Sequence, residues 1–378
     1  MVKKTEEASI AIAEAVKNCE PDVVACYPIT PSTHIAETLA KFYSDGEIKN
    51  FIATESEFAS ISAICGASAA GGRAFSTTSS QGLALMHEVV YAAAGMRLPV
   101  VMVVGNRALS APLNIWCDHQ DSIAERDSGW IQLYCESAQE GVDTAIQAFK
   151  IAESMMLPAM VCVDGFYLTH TVEPVDVPTV EEVRKFLPKF QPQVKLDPEN
   201  PISMGEYALP THYQGFREDV HKDVLASKGK IVEVHDEFEK MFGRGYGGLV
   251  EGYKSDDADY VFVGMGSVIG NAKEAVDELR AKGKKVGVVR IRSFRPFPED
   301  EVRKMLEGKK HVAVFEKSYS MGSFAPVYAD VINSLYSLKK KPMVSSFIGG
   351  LGGKDVTVKH AIDIFKMIRK REHMRVWV

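Results

Sequence analysis

Apolar positions recur at helical spacing from Thr5 to Cys19, and the short β-branched run Asp22-Val23-Val24-Ala25-Cys26-Tyr27 follows, then a turn at Pro28 to Pro31. Such alternation of helical spacing with short extended runs predicts βαβ units. Two later segments echo one another. Met96-Arg97-Leu98-Pro99 leads into an apolar run ending at Gly105, and Met156-Leu157-Pro158 leads into one ending at Gly165. Each closes a helix, passes Leu-Pro and continues as an unbroken apolar strand, which predicts a parallel sheet covered on both faces.

From about residue 171 to 253 the pattern weakens. Seven prolines from Pro174 to Pro210 break any long periodic run, so we expect an extended connector with a helix or two, including a charged one near Tyr213 to Lys228. The cluster Gly243, Gly245, Gly247 and Gly248 reads as a flexible join. Regular spacing returns with the strand Asp259 to Gly264, a helix to about Lys282, the strand Lys285 to Ile291 and a turn through Phe294 to Pro298. The expected organisation is an α/β domain over 1–240, its connector starting at about 171, and a smaller α/β domain over 254–378. A length of 378 residues suits two such domains.

Composition narrows the function little. Charged residues make up 25% and the formal net charge is -6, which calls for neither nucleic acid nor an anionic membrane as partner. The run Lys339-Lys340-Lys341 reads as solvated surface. The charged start Met1 to Glu7 lacks a following apolar region, and no stretch of roughly 18 apolar residues occurs, so a cytoplasmic location is expected. Six cysteines lie far apart with no C-x-x-C among them, which points to buried thiols and argues against an iron-sulfur cluster carried by this chain.

In an open parallel sheet, ligands bind beyond the carboxyl ends of the strands. The candidate chemistry therefore sits in Tyr27-Pro28-Ile29-Thr30-Pro31-Ser32, Glu55-Ser56-Glu57, Thr77-Thr78-Ser79-Ser80-Gln81-Gly82 and Gly105-Asn106-Arg107. Glu57 opens a segment of small residues reaching Gly72, so its carboxylate stands at the mouth of an apolar element; Glu55 or Glu57 also suits a helix N-terminus. Arg107 has the planar fork that takes a carboxylate, or an ordinary ion pair. Asp118-His119-Gln120-Asp121 gathers two carboxylates and an imidazole, but the spacing fits no common helical ligand pair; loop hydrogen bonding is expected, and no metal site is assigned. Gly264-Met265-Gly266-Ser267 lacks the third glycine and the Lys-Ser/Thr of nucleotide loops and reads as a tight strand-to-helix turn.

Taken in order and at these intervals, Tyr27 to Ser32, Glu55 to Glu57, Ser79 to Leu83, Asn106 to Ala108 and Asp118 to Asp121 resemble the 2-oxoacid:ferredoxin oxidoreductase family, in particular alpha subunits of pyruvate:ferredoxin oxidoreductase (pyruvate synthase). The resemblance implies a pyrimidine-type thiamine-diphosphate-binding domain followed by a transketolase C-terminal-like domain. It implies that Glu57 hydrogen-bonds N1′ of the aminopyrimidine, that Thr30 and Arg107 contact the 2-oxoacid, with Arg107 on its carboxylate, that Pro28 lies close to the same ligand, and that Ser80 and Gln81 line the cofactor. The implied reaction is oxidative decarboxylation of pyruvate with coenzyme A to acetyl-CoA and CO2, electrons passing to ferredoxin.

The chain lacks the Gly-Asp-Gly and following Asn through which thiamine enzymes hold the diphosphate by Mg2+, and it lacks cluster cysteines. The resemblance therefore implies that Mg2+ and [4Fe-4S] clusters reside on beta-, gamma- and delta-type partner subunits, with the active site shared across a subunit interface. A branched-chain 2-oxoacid such as 2-oxoisovalerate and a scaffold subunit that has lost its cofactor remain the alternatives.

Overall fold

The apolar runs become the centre of a seven-stranded sheet in the computed structural model, which describes residues 2–192, 194–370 and 372–378. The chain begins with β1 (Val2–Glu7), α1 (Ala8–Asn18), β2 (Val23–Cys26), α2 (Thr33–Ser44), β3 (Phe51–Ala53), α3 (Glu57–Ala69) and β4 (Ala74–Thr78). It continues through α4 (Ser80–Gly95), β5 (Val101–Asn106), α5 (Gln120–Ala124), β6 (Ile131–Tyr134), α6 (Ala138–Met155) and β7 (Ala159–Asp164). Strands β2 to β7 are parallel, in the order β6-β7-β5-β4-β2-β3, and β4, β5, β6 and β7 are buried along their whole length. That full burial is why β5 and β7 run apolar up to their last residue, without polar alternation.

Beyond β7 come β8 (Val172–Val177), α7 (Val180–Phe186) and α8 (Pro210–Phe242). The expected charged helix is thus the first half of one helix of 33 residues, begun by Pro210 in its first turn and ended by Gly243 at φ 72°. The N-terminal residues read as the start of a helix instead form β1, whose six residues pair antiparallel with β8 from Val2↔Val177 to Glu7↔Val172. The glycine segment is tied down rather than loose. Arg244 and the Tyr246 hydroxyl both bond the buried Asp143 carboxylate, and the Tyr246 amide donates to His235 Nε2.

The second sheet takes β9 (Val250–Tyr253), β10 (Tyr260–Gly264), β11 (Val286–Ile291), β13 (His311–Glu316), β14 (Met343–Ile348) and β15 (Arg375–Trp377), in the order β15-β14-β13-β10-β11-β9. Its helices are α9 (Val268–Ala281), α10 (Glu299–Leu306), α11 (Pro326–Ser334) and α12 (Val358–Ile368). Period-two alternation divides its strands between two apolar clusters: Val261, Val263, Val312 and Val314 join the core shared with the first sheet, while Phe262, Val288, Ala313 and Phe315 pack on α9 and α12. The remaining strand, β12 (Ser293–Arg295), pairs antiparallel with β6 of the first sheet. Where the sequence reads only a turn, the two domains therefore share a sheet edge as well as a core. Among the described residues no helix is long and apolar enough to cross a membrane.

Candidate active site

Because β3, β2, β4 and β5 are parallel neighbours, the segments that follow them leave at one edge. Ser56 caps α3 by accepting from the Ala59 amide, which sets Glu57 as the first residue of the helix. Glu57 is only 7% exposed, yet its carboxylate has no hydrogen bond among the described residues. It lies against α4 at Gly82, where a Cβ would stand 2.7 Å from Glu57 Oε1 and 2.5 Å from Thr78 Oγ1. Thr78 Oγ1 and Ser79 Oγ are buried and also lack a hydrogen-bond partner among the described residues. Buried polar atoms are ordinarily paired, so this cluster of orphans marks a place built for groups from outside the chain.

Arg107 closes the other side. Its Nη1 donates to the Thr30 carbonyl at 3.0 Å and its Nε to the Asn114 carbonyl at 2.9 Å, which aims the fork while leaving Nη2 without a hydrogen bond among the described residues. Burial draws the guanidinium below its ordinary value and the nearby Asp121 opposes this. The turn carrying Thr30 and Pro31 packs on Gly165, where a Cβ would fall 2.5 Å from Pro31 Cγ.

Asp121 holds the pieces together. Fully buried, it accepts from the backbone amides of Ser80, Arg107 and Ser122 and from Asn106 Nδ2, all at 2.7–2.9 Å. Burial pushes it up to about 6, with those four donors pulling the other way. Ser80 takes φ 48° and turns its hydroxyl onto the Ala108 carbonyl and Gln81 Oε1, so that hydroxyl is already engaged within the chain. Gln81 is partly exposed at the start of α4, and Pro28 is exposed on the turn after β2.

Behind this edge the domains meet through charge. Asp164, at the end of β7, accepts from His119 Nε2 at 2.7 Å, Lys317 Nζ at 2.8 Å and Ser267 Oγ at 2.6 Å, and all of these side chains except Ser267 are fully buried. Burial raises the Asp164 carboxyl, but Lys317 and His119 outweigh it and hold the group well below the usual carboxylate range. The turn Gly264 to Ser267 thus does meet an anion, and the anion is the chain's own Asp164.

A family model described as "Pyruvate flavodoxin/ferredoxin oxidoreductase, thiamine diP-bdg" matches residues 14–236, and one described as "Pyruvate:ferredoxin oxidoreductase core domain II" matches residues 258–361. The chain belongs to the pyruvate:ferredoxin oxidoreductase family. It is 49% identical to pyruvate synthase subunit PorA of Methanothermobacter thermautotrophicus over 381 residues, covering 100% of this chain and 98% of that one. Over 371 residues it is 43% identical to ketoisovalerate oxidoreductase subunit VorA of Pyrococcus abyssi, covering 98% and 94%. Among solved structures, a 2-oxoglutarate:ferredoxin oxidoreductase from Magnetococcus marinus, with 2-oxoglutarate, coenzyme A and succinyl-CoA bound, shares the fold at TM-score 0.72 and 20% identity; the match covers 97% of this chain and 65% of that longer one. A split-gene transketolase, described as an inactive beta4 tetramer, matches at TM-score 0.55 and 12% identity over 96% and 98%.

Within this oxidoreductase fold, Arg107 meets the backbone carbonyl of Thr30, while Glu57 packs at Gly82 after the neighbouring strand β3 of the same sheet. Asp121 and Gly82 escaped the reading of the sequence as site residues. The Asp118 to Asp121 cluster was visible as a cluster, but which amides it would serve depends on strands adjacent only in the folded sheet.

Proposed function

We propose that this chain is the alpha subunit of a pyruvate:ferredoxin oxidoreductase and supplies the aminopyrimidine side of a thiamine diphosphate site completed by a partner subunit. The observation that carries the proposal is Glu57, a buried carboxylate without a hydrogen bond among the described residues, seated in a space that Gly82 keeps open. Thiamine diphosphate, when bound, supplies the carbon nucleophile and the electron sink for decarboxylation of a 2-oxoacid. Glu57 would hold the cofactor by accepting a hydrogen bond from N1′–H of the aminopyrimidine, a bond that gains strength where the carboxylate is largely removed from water. Arg107 holds the substrate carboxylate through the donors left free by Thr30 and Asn114, and the Thr30 side chain and Pro28 line the same pocket. Gln81 and Ser80 shape the wall beside the cofactor, Ser80 through its backbone position.

Exposed apolar side chains around this edge, among them Tyr27, Phe58, Leu85 and Leu113 at 37%, 41%, 51% and 78% exposure, supply the surface for the partner that brings Mg2+ and the diphosphate. The [4Fe-4S] clusters belong to further partners, which pass electrons to ferredoxin, and coenzyme A takes up the acyl group. The reaction is pyruvate plus coenzyme A plus two oxidised ferredoxins to acetyl-CoA, CO2, a proton and two reduced ferredoxins. A branched-chain 2-oxoacid is the second reading, kept open by the 43% identity to the VorA chain, which is lower than the 49% to PorA.

The test is reduction of ferredoxin by the co-expressed complex, wild type against Glu57→Gln and Arg107→Ala, with pyruvate and with 2-oxoisovalerate. Loss of turnover in the glutamine variant, by about 10²-fold or more, and a raised pyruvate KM in the alanine variant are the expected results. Full activity in both variants would refute the site, and preference for 2-oxoisovalerate would refute the substrate alone.

A further inference from the structure

We propose that Glu7, His34 and His170 form a binding site for a late first-row divalent cation of the Zn2+ class. One ligand atom from each lies within 4.8 Å of the other two, and the three residues come from separate parts of the chain. Glu7 ends β1, His34 is the second residue of α2, and His170 stands in the turn between β7 and β8. Rigid elements bring them together: Glu7 pairs with Val172 in the β1–β8 register, the Ala8 amide donates to the Thr171 carbonyl, and α1 packs on α2.

The chemistry of the set is that of a cation site. Two imidazoles and one carboxylate supply three ligands and leave a position for water, the composition used by catalytic and exchangeable zinc sites. Glu7 Oε1 lies 2.6 Å from His34 Nδ1, and the two imidazole ring centroids are 4.8 Å apart. A single Glu-His hydrogen bond would need only one of those rings. The Thr169 hydroxyl lies 2.8 Å from His170 Nδ1 and also accepts from the Phe166 amide, an outer contact of the kind that orients a ligating imidazole. All three residues are partly exposed, so an ion can enter from solvent. None of them belongs to the set assigned above to cofactor or 2-oxoacid, and the site stands or falls independently of that assignment.

The assembled complex, dialysed anaerobically against micromolar zinc chloride, tests this by its metal content. Zinc held by other subunits cancels between wild type and variants. Wild type is expected to retain one Zn2+ per chain more than His34→Ala or His170→Gln, and its zinc X-ray absorption edge is expected to report imidazole nitrogen and carboxylate oxygen. Equal zinc content in wild type and both variants overturns the proposal, as does thiolate coordination in the wild-type-minus-variant difference spectrum. If His34→Ala fails to assemble, His170→Gln in its surface turn carries the comparison alone: one Zn2+ fewer than wild type supports the site, and equal zinc overturns it.

Discussion

A methyl group at Gly82 has nowhere to go, because Glu57 Oε1 and Thr78 Oγ1 already occupy the space at 2.7 and 2.5 Å. The Gly82→Ala variant should therefore displace the Glu57 carboxylate without removing it. A misplacement on the order of 1 Å costs about 10²-fold in rate when geometry sets the reaction. We expect kcat with pyruvate to fall by that order while the complex still assembles, and unchanged turnover would mean that Glu57 is not positioned through α4. Arg107 permits a different separation. Lysine keeps the charge but replaces the planar fork, whose Nε and Nη1 are fixed by the Asn114 and Thr30 carbonyls, with a single point-like ammonium that cannot grip a carboxylate through two parallel bonds. Arg107→Lys should raise the pyruvate KM about tenfold or more with a smaller effect on kcat, the signature of lost ground-state binding. A fall in kcat with KM unchanged would assign Arg107 to the chemical step instead.

At the level of elements, the ends of β5 and α4 are fixed to one another by Asp121 through the Arg107 and Ser80 amides. Asp121→Asn substitutes an amide nitrogen for one acceptor oxygen and turns a donor toward donors, and a buried group left unpaired costs about 1–3 kcal/mol. The midpoint of thermal unfolding should drop, and pyruvate KM should rise as Arg107 loosens; a variant with the wild-type midpoint would show that the amides find water instead. How far such elements could be read from the chain differs by type. The strands β5, β7 and β10 declared themselves because burial leaves an apolar run along most of their length, and β11 did so despite the buried Arg290 within it. The places of Arg107 after the buried β5, Thr30 after β2 and Glu57 after the short, largely exposed edge strand β3 could be read from the chain as segments leaving the carboxyl ends of strands. Strand β1 was not, since Val-Lys-Lys-Thr-Glu-Glu is polar and its partner β8 lies 165 or more residues away in the register Glu7↔Val172. Nor was the length of α8, whose seven buried residues begin only at Val220, so that its first turns have no apolar stripe to read. Asp121 and Gly82 work through neighbours that spacing does not reveal.

At the scale of the whole molecule, docking of the two domains rests on buried charge as well as on apolar area. Lys317 from the second domain meets Asp164 of the first at 2.8 Å with both side chains almost wholly removed from water. Arg290 and Arg292 likewise converge on Glu140 at the start of α6. Removing one member of a buried pair strands the other, at a cost of about 3–5 kcal/mol, whereas removing both leaves neither charge unpaired. Asp164→Asn and Lys317→Met should each destabilise strongly in chemical denaturation, and the double variant should be more stable than the sum of the two losses predicts. The pH dependence has a defined sign. Asp164 is held below its ordinary value, so its contribution is complete above about pH 4, where an unfolded aspartate is ionised, and is lost as acid protonates it in the folded chain. Lys317 is raised above its ordinary value, burial opposing and Asp164 prevailing, so its contribution is complete below about pH 10 and lost in stronger base. Between those limits the pair contributes a constant stabilisation. The double variant should therefore lose part of the wild-type fall in stability below pH 4, and identical acid profiles for the two proteins would remove Asp164 from the account of how the domains are held.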